Sequence, residues 1–215
     1  MLIHADPKLV SLDTSFAGWP HIKDRASYTG YIAETPLAAD ARGAQGHDEV
    51  IVSVGGGAVG GPLLRAALAA RPLTSLANRT WRLLVGGDLP ETEWAALKAG
   101  DGVVIEPARA DFTTLLANAA LSISQAGYNT VVETLACAER AVLVPFATSR
   151  ETEQRRRAEN LMKRGMVQMV APEALTGTAL AAAVDEAFAG PSLRSFPPCD
   201  INGGAATAAL LARLA

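Results

Sequence analysis

Between residues 49 and 170, short and nearly unbroken apolar runs alternate with stretches whose apolar positions recur at helical spacing. The runs are Val50–Val54, Trp81–Val85, Val103–Ile105, Leu121–Ser124, Ala141–Pro145 and Val167–Val170. Leu63, Leu64, Ala67 and Leu68 mark the first helical stretch. Glu91–Lys98, Asp111–Asn118, Asn129–Cys137, Glu151–Arg164 and Gly177–Phe188 follow, and Ala205–Leu214 comes last. A strand that is apolar without alternation is buried on both faces, so six such runs separated by helices predict a parallel sheet with helices on each side. Right-handed crossovers make it doubly wound. The predicted fold is therefore α/β, a doubly wound, six-stranded parallel sheet of Rossmann-like type. Ligands of such sheets sit beyond the carboxyl ends of the strands, where the strand order reverses, so the loops that follow the strands are the ones to search.

Residues 1–47 break this rhythm. Asp6-Pro7, Gly18-Trp19-Pro20 and Thr35-Pro36 interrupt any long periodic element, and Ala38–Gly46 has linker composition. The expected organisation is an N-terminal arm or inter-domain linker over 1–47, the α/β domain over 48–190, and a terminal segment with its helix over 191–215.

Composition narrows the class. With 215 residues, 49% of them hydrophobic, the chain can bury a sizeable core. A formal net charge of −3 argues against nucleic acid as a partner. Two cysteines, Cys137 and Cys199, make no disulfide framework and suit a reducing compartment. No apolar run approaches the roughly 20 residues of a membrane span, and the first residues lack the pattern of a signal peptide. A cytoplasmic domain is expected.

Three loops can carry chemistry. Gly55–Gly61 runs from a strand into a helix, so its backbone N–H groups can face a phosphate. It also satisfies G-x-G-x-x-G, but the acidic residue that a dinucleotide site needs about 20 positions on is missing, since nothing acidic lies between Gly61 and Asp88. A plain strand–helix turn is the other reading. Ser124–Glu133 has the same placement: Gly127 allows close approach, Asn129 and Thr130 offer polar groups, and Glu133 can accept hydrogen bonds from a ribose diol. Thr130-x-x-Glu133 also fits a capping box with no ligand at all, and spacing leaves the two readings open. The loop Pro145–Gln154 is long and polar, with Gln154 placed to bond neutral hydroxyls. Residues 150–164 hold six basic and three acidic side chains. Arg155, Arg156 and Arg157 read as a solvated helix face with Glu151–Arg155 and Glu153–Arg157 pairs at i,i+4. His4, His21 and His47 read as surface or linker residues, Cys137 as core, and the tryptophans as packing. Zinc spacing, a G-x-x-x-x-G-K-[ST] loop, a Gly-x-Ser-x-Gly elbow and an aspartate pair for a metal on a diphosphate do not occur.

The glycine-rich first loop, S-x-A-G-x-x-T-x-x-E over Ser124–Glu133, V-P-F over Val144–Phe146 and Q-x-x-x-A-x-x-L…G through Gln154, Ala158, Leu161 and Gly165 stand in a fixed order. Together they resemble the C-terminal, donor-binding domain of GT-B glycosyltransferases of the lipid II-synthesising type, glycosyltransferase family 28, over about 48–190. The resemblance implies the donor-binding half of a metal-independent hexosyltransferase. A UDP-sugar, UDP-GlcNAc above others, would be its donor substrate and no cofactor would be needed. Gly56, Gly57 and Ala58, and across from them Gly127, Asn129 and Thr130, would face the diphosphate. Glu133 would hold the ribose, Gln154 and Glu153 the sugar, and backbone groups of Pro107, Ala108 and Arg109 would read the base. Residues 28–31 with the arm, and the terminal helix, would be the crossings between two domains. The acceptor and the catalytic base would belong to an N-terminal domain or subunit, through which any membrane association would arise, and the isolated domain would be inactive. One departure from the family is the loop Ala138–Ala141, which lacks the usual proline. An NAD(P)-dependent oxidoreductase domain and a non-catalytic regulatory module are the alternatives.

Overall fold

The structure, a computed structural model, describes residues 1–9, 13, 16–55, 59–146 and 152–213. Among the described residues the strands are β1 (Leu2–Ile3), β2 (Ser27–Tyr28), β3 (Val50–Ser53), β4 (Trp81–Val85), β5 (Val103–Pro107), β6 (Leu121–Ser124), β7 (Ala141–Leu143) and β8 (Gln168–Met169). The helices are α1 (Trp19–Ile22), α2 (Gly61–Ala70), α3 (Glu91–Ala96), α4 (Phe112–Asn118), α5 (Tyr128–Cys137), α6 (Glu153–Lys163), α7 (Gly177–Ala189) and α8 (Gly203–Ala212). The chain divides into two compact units, one of Met1–Glu34 with Pro197–Ala215 and one of Thr35–Phe196.

In the smaller unit β1 and β2 pair in parallel. The start of α8 is tied to the chain after β2 by an Ile32–Asn202 bridge and by hydrogen bonds from Tyr31 N–H to Asp200 O (2.7 Å) and Gly203 N–H to Tyr31 O (2.8 Å). Asp6 is buried, and its carboxylate accepts the N–H groups of Lys8 (2.9 Å) and Asp200 (3.3 Å).

The larger unit holds the sheet expected from the sequence, with order β5-β4-β3-β6-β7-β8 among the described residues and every pairing parallel. The central strands β3, β4 and β6 are buried at every position, the serines of β6, Ser122 and Ser124, included. Val50, Val52, Val54, Leu121 and Ile123 meet Leu63, Leu64, Ala67 and Ala70 of α2 and Leu180, Ala181 and Val184 of α7 in one core. Leu115 and Leu116 of α4 and Val131 and Val132 of α5 are buried apart from that core. They cover the other face, because successive strand residues point to opposite sides. Element edges differ by a residue or two from the periodicity. α3 stops at Ala96 because Leu97 is extended (ψ 119°), and the chain turns into β5 through Gly102 at φ +73°. Arg82 is the surprise inside an apolar strand. It is neutralised in place, with its guanidinium on Glu49 (2.6 and 2.9 Å) and Glu106 (3.0 Å).

Candidate functional site

β3 and β6 are neighbours, but the chain leaves β3 towards β4 and β5 and leaves β6 towards β7 and β8. That reversal sends α2 and α5 to opposite faces and opens a crevice above the carboxyl ends of β3 and β6. A cleft of about 360 Å³ occupies it, lined by Val54, Gly55, Val59, Gln125, Gly127, Tyr128, Asn129, Thr130 and Gln154. Gly55 sits at φ +67°, a left-handed conformation that suits glycine. The amide of Gln125 donates to Val59 O (3.4 Å) and joins the two loops. Gly56, Gly57 and Ala58 lie outside the described residues.

Both helices begin at this cleft without a side-chain cap, α2 after Gly60 and α5 after Gly127. The first N–H groups of a helix have no partner within it, and the helix dipole adds partial positive charge there. Among the described lining residues none carries a charged side chain. What the cleft offers is a set of oriented amide donors, an arrangement suited to an anion. Among the described residues a Cβ built on Gly127 would meet only Thr130 Oγ1, at 3.9 Å. Packing against the described residues therefore does not require glycine there, whereas close approach of a ligand would.

The helix start removes the capping-box reading of Thr130-x-x-Glu133. Gly127 is the N-cap and Thr130 is already the third helical residue, so the pair is not a capping box. Glu133 is half-buried, one turn beyond the lining residue Thr130 and on the same face.

Gln154 opens α6 with its side-chain oxygen accepting the N–H of Phe146, just past β7, at 3.0 Å. The amide nitrogen is a pure donor and has no partner among the described residues. Glu153 takes a different place. Its carboxylate is 73% exposed, pairs with Arg157, and is not among the lining residues.

Arg157 departs from the solvated face expected for it. Its side chain is 12% exposed, and its guanidinium donates to Ala126 O (2.7 Å) and lies over the Tyr128 ring at 5.6 Å. The signal was present in the spacing: Gln154, Arg157, Ala158 and Leu161 fall at i, i+3, i+4 and i+7, one stripe of the helix. Arg156 is exposed as expected. Arg155 pairs with Glu173 (2.6 and 2.9 Å), and Glu151 lies outside the described residues.

Pro107 ends β5 at the sheet edge, two strands from β3, and is exposed along with Ala108. The Ala108 N–H extends the ladder to Val85 O (2.9 Å). Arg109 holds the following turn by a two-pronged contact with Asp111 (2.7 Å each) and a weaker one with Glu106 (3.4 Å). Glu49, Arg82, Glu106, Arg109 and Asp111 thus form one chain of alternating charge. Hydrogen bonds from Arg109 hold the Asp111 carboxyl below the ordinary carboxylate range. Sequence periodicity passes over this network because its members come from two strands, the residue before a third, and a loop.

The remaining candidates stay apart. His4 Nδ1 is 2.9 Å from Thr29 Oγ1 within the smaller unit, and His21 and His47 are exposed. Cys137 is buried, and burial pushes its thiol up to about 11. The end of β4, where a dinucleotide site places its acid, is Leu84-Val85-Gly86.

Residues 51–197 match the glycosyltransferase family 28 C-terminal domain. A UDP-N-acetylglucosamine–N-acetylmuramyl-(pentapeptide) pyrophosphoryl-undecaprenol N-acetylglucosamine transferase of Geotalea uraniireducens is 28% identical over 141 residues, covering 63% of this chain and 38% of the relative. The same-named enzyme of Geobacter sulfurreducens is 28% identical over 201 residues, covering 87% and 53%. The chain therefore spans about half or less of the length of these relatives. The crystal structure of the calicheamicin glycosyltransferase CalG4 shares the fold with a TM-score of 0.61 at 19% identity, over 87% of this chain and 43% of that one.

Proposed function

The chain belongs to the glycosyltransferase family 28 C-terminal domain family, and on that premise we propose that it is the donor-binding half of a metal-independent GT-B glycosyltransferase. Its donor is a UDP-sugar, UDP-N-acetylglucosamine first, and the acceptor is held by an N-terminal domain or partner subunit. The observation that carries this reading is the convergence of two uncapped helix starts, those of α2 and α5, on one cleft at the strand-order reversal.

The diphosphate lies between them, on the Gly56-Gly57-Ala58 segment and on the amides of Gly127, Asn129 and Thr130. Glu133 accepts the ribose hydroxyls. Gln154 donates its amide hydrogens to the sugar. The exposed backbone at Pro107, Ala108 and Arg109 reads the base. Two inter-strand steps separate β5 from β3, roughly 10 Å, which leaves room for the ribose between base and diphosphate. In the transfer, the bond from the anomeric carbon to the β-phosphate oxygen breaks and its electron pair leaves with UDP. An acceptor hydroxyl bonds to the same carbon and gives its proton to a base supplied with the acceptor. The charge that grows on the departing phosphate meets preoriented amides, which need no reorganisation. The names of the relatives support this choice of sugar and nucleotide. No described helix is long and apolar enough to cross a membrane, and we place the domain in the cytoplasm with any membrane contact made through the acceptor side.

Calorimetric titration with UDP, UDP-N-acetylglucosamine and NADH tests the reading. UDP should bind and NADH should not, and Glu133→Ala should weaken UDP by about tenfold or more, the worth of hydrogen bonds to a charged group. Binding of NADH without UDP would overturn it.

A further inference from the structure

We propose that Arg157 is a positioning residue that holds the β6–α5 loop, and with it the opening amides of α5, in the geometry that receives the diphosphate. The ligand side of this inference rests on the donor-binding reading above, while its structural side does not. The Ala126 carbonyl accepts from Arg157 at 2.7 Å, and Ala126 itself is fully buried. A trans peptide plane sets the next N–H on the opposite side from the carbonyl, and the described peptide bonds are all trans. Fixing the Ala126 oxygen therefore fixes the Gly127 N–H, on the residue that caps α5 and lines the cleft.

The same guanidinium covers the ring of Tyr128, the first residue of α5. Its remaining edge pairs with Glu153, one turn back along α6. Gln154, next to Glu153, is anchored on Phe146. The first two turns of α6 are thereby bolted to the exits of both β6 and β7, so that the phosphate side and the sugar side of the cleft share one support. Lysine could not replace this: a planar fork donates along two edges while its face rests on a ring, whereas an ammonium is a point charge on a flexible stem.

The experiment compares the whole chain with Arg157→Ala and Arg157→Lys in two measurements. The first titrates UDP and uridine. Arg157→Ala should weaken UDP by about tenfold and leave uridine unchanged, and Arg157→Lys should recover little of the loss. The second follows amide hydrogen exchange of the unliganded protein, which should quicken across 125–132 in both variants while the exchange of β3 and β4 stays as in wild type. Equal losses for UDP and uridine, or unchanged exchange across 125–132, would overturn the positioning role. If the wild-type chain binds no UDP, the donor-binding reading fails, and the exchange comparison still decides the role of Arg157. If Arg157→Ala does not fold, Arg157→Lys carries both measurements.

Discussion

Gln154 makes two separable contributions, and one pair of substitutions divides them. Its oxygen accepts the Phe146 N–H at 3.0 Å in a part-buried position, and its nitrogen is the donor offered to the sugar. Gln154→Ala removes both. The lost backbone bond costs about 1 kcal/mol net, which for a chain of this size lowers Tm by about 2–4 °C. Gln154→Glu keeps an acceptor for Phe146 and removes the donor, so Tm should stay near wild type. In Gln154→Ala the affinity for UDP-N-acetylglucosamine relative to UDP should fall. A neutral hydrogen bond of about 0.5–1.5 kcal/mol corresponds to roughly two- to tenfold. The terminal phosphate of free UDP carries more charge than the esterified phosphate of the UDP-sugar, so the new carboxylate of Gln154→Glu repels UDP the more, and the uncharged Gln154→Ala is the variant that decides the ratio. Calorimetry supplies the ratio and thermal unfolding supplies Tm. The reasoning fails if Gln154→Ala leaves the ratio intact, because then the amide nitrogen does not meet the sugar. It fails equally if Gln154→Ala leaves Tm unmoved.

Three further outcomes are expected. Leu64 is fully buried between α2 and the sheet, so Leu64→Ala should cost about 2–5 kcal/mol in urea unfolding without changing the slope of the transition. Arg82→Ala leaves the carboxylates of Glu49 and Glu106 without their shared cation in a site where the three side chains are 10–24% exposed. It should cost about 3 kcal/mol, and a loss near that of a surface pair, under about 0.5 kcal/mol, would show that the network does not brace the strands. Burial pushes the Cys137 thiol up to about 11, so the native state keeps its proton to higher pH than the unfolded chain does. Its contribution to stability is complete below about pH 8.5 and is lost as the pH rises towards 11. Cys137→Ala should therefore show a shallower fall in unfolding free energy between pH 8 and 10, and equal slopes would refute the assignment.

The strands and the fold class were legible along the chain because a parallel strand is buried on both faces and must be apolar at nearly every position, as Val50–Val54 is. The loops to search followed from the topology, since ligands of a doubly wound sheet sit beyond the carboxyl ends of its strands. Periodicity is silent where a function depends on which elements lie side by side. Whether Thr130 caps α5 was settled by where the helix begins, at Tyr128, a boundary that local spacing does not resolve. The charge chain from Glu49 to Asp111 exists because β3, β4 and β5 are neighbours, and strand order is set by how whole helices pack, not by any residue within a strand. Arg157 is the clearest case. Its place in the stripe of Gln154, Ala158 and Leu161 was visible, but an arginine at such a position can equally extend to water. Only the arrival of the Ala126 carbonyl and the Tyr128 ring from another element, 31 and 29 residues away in the chain, turns a helix-face cation into an internal brace.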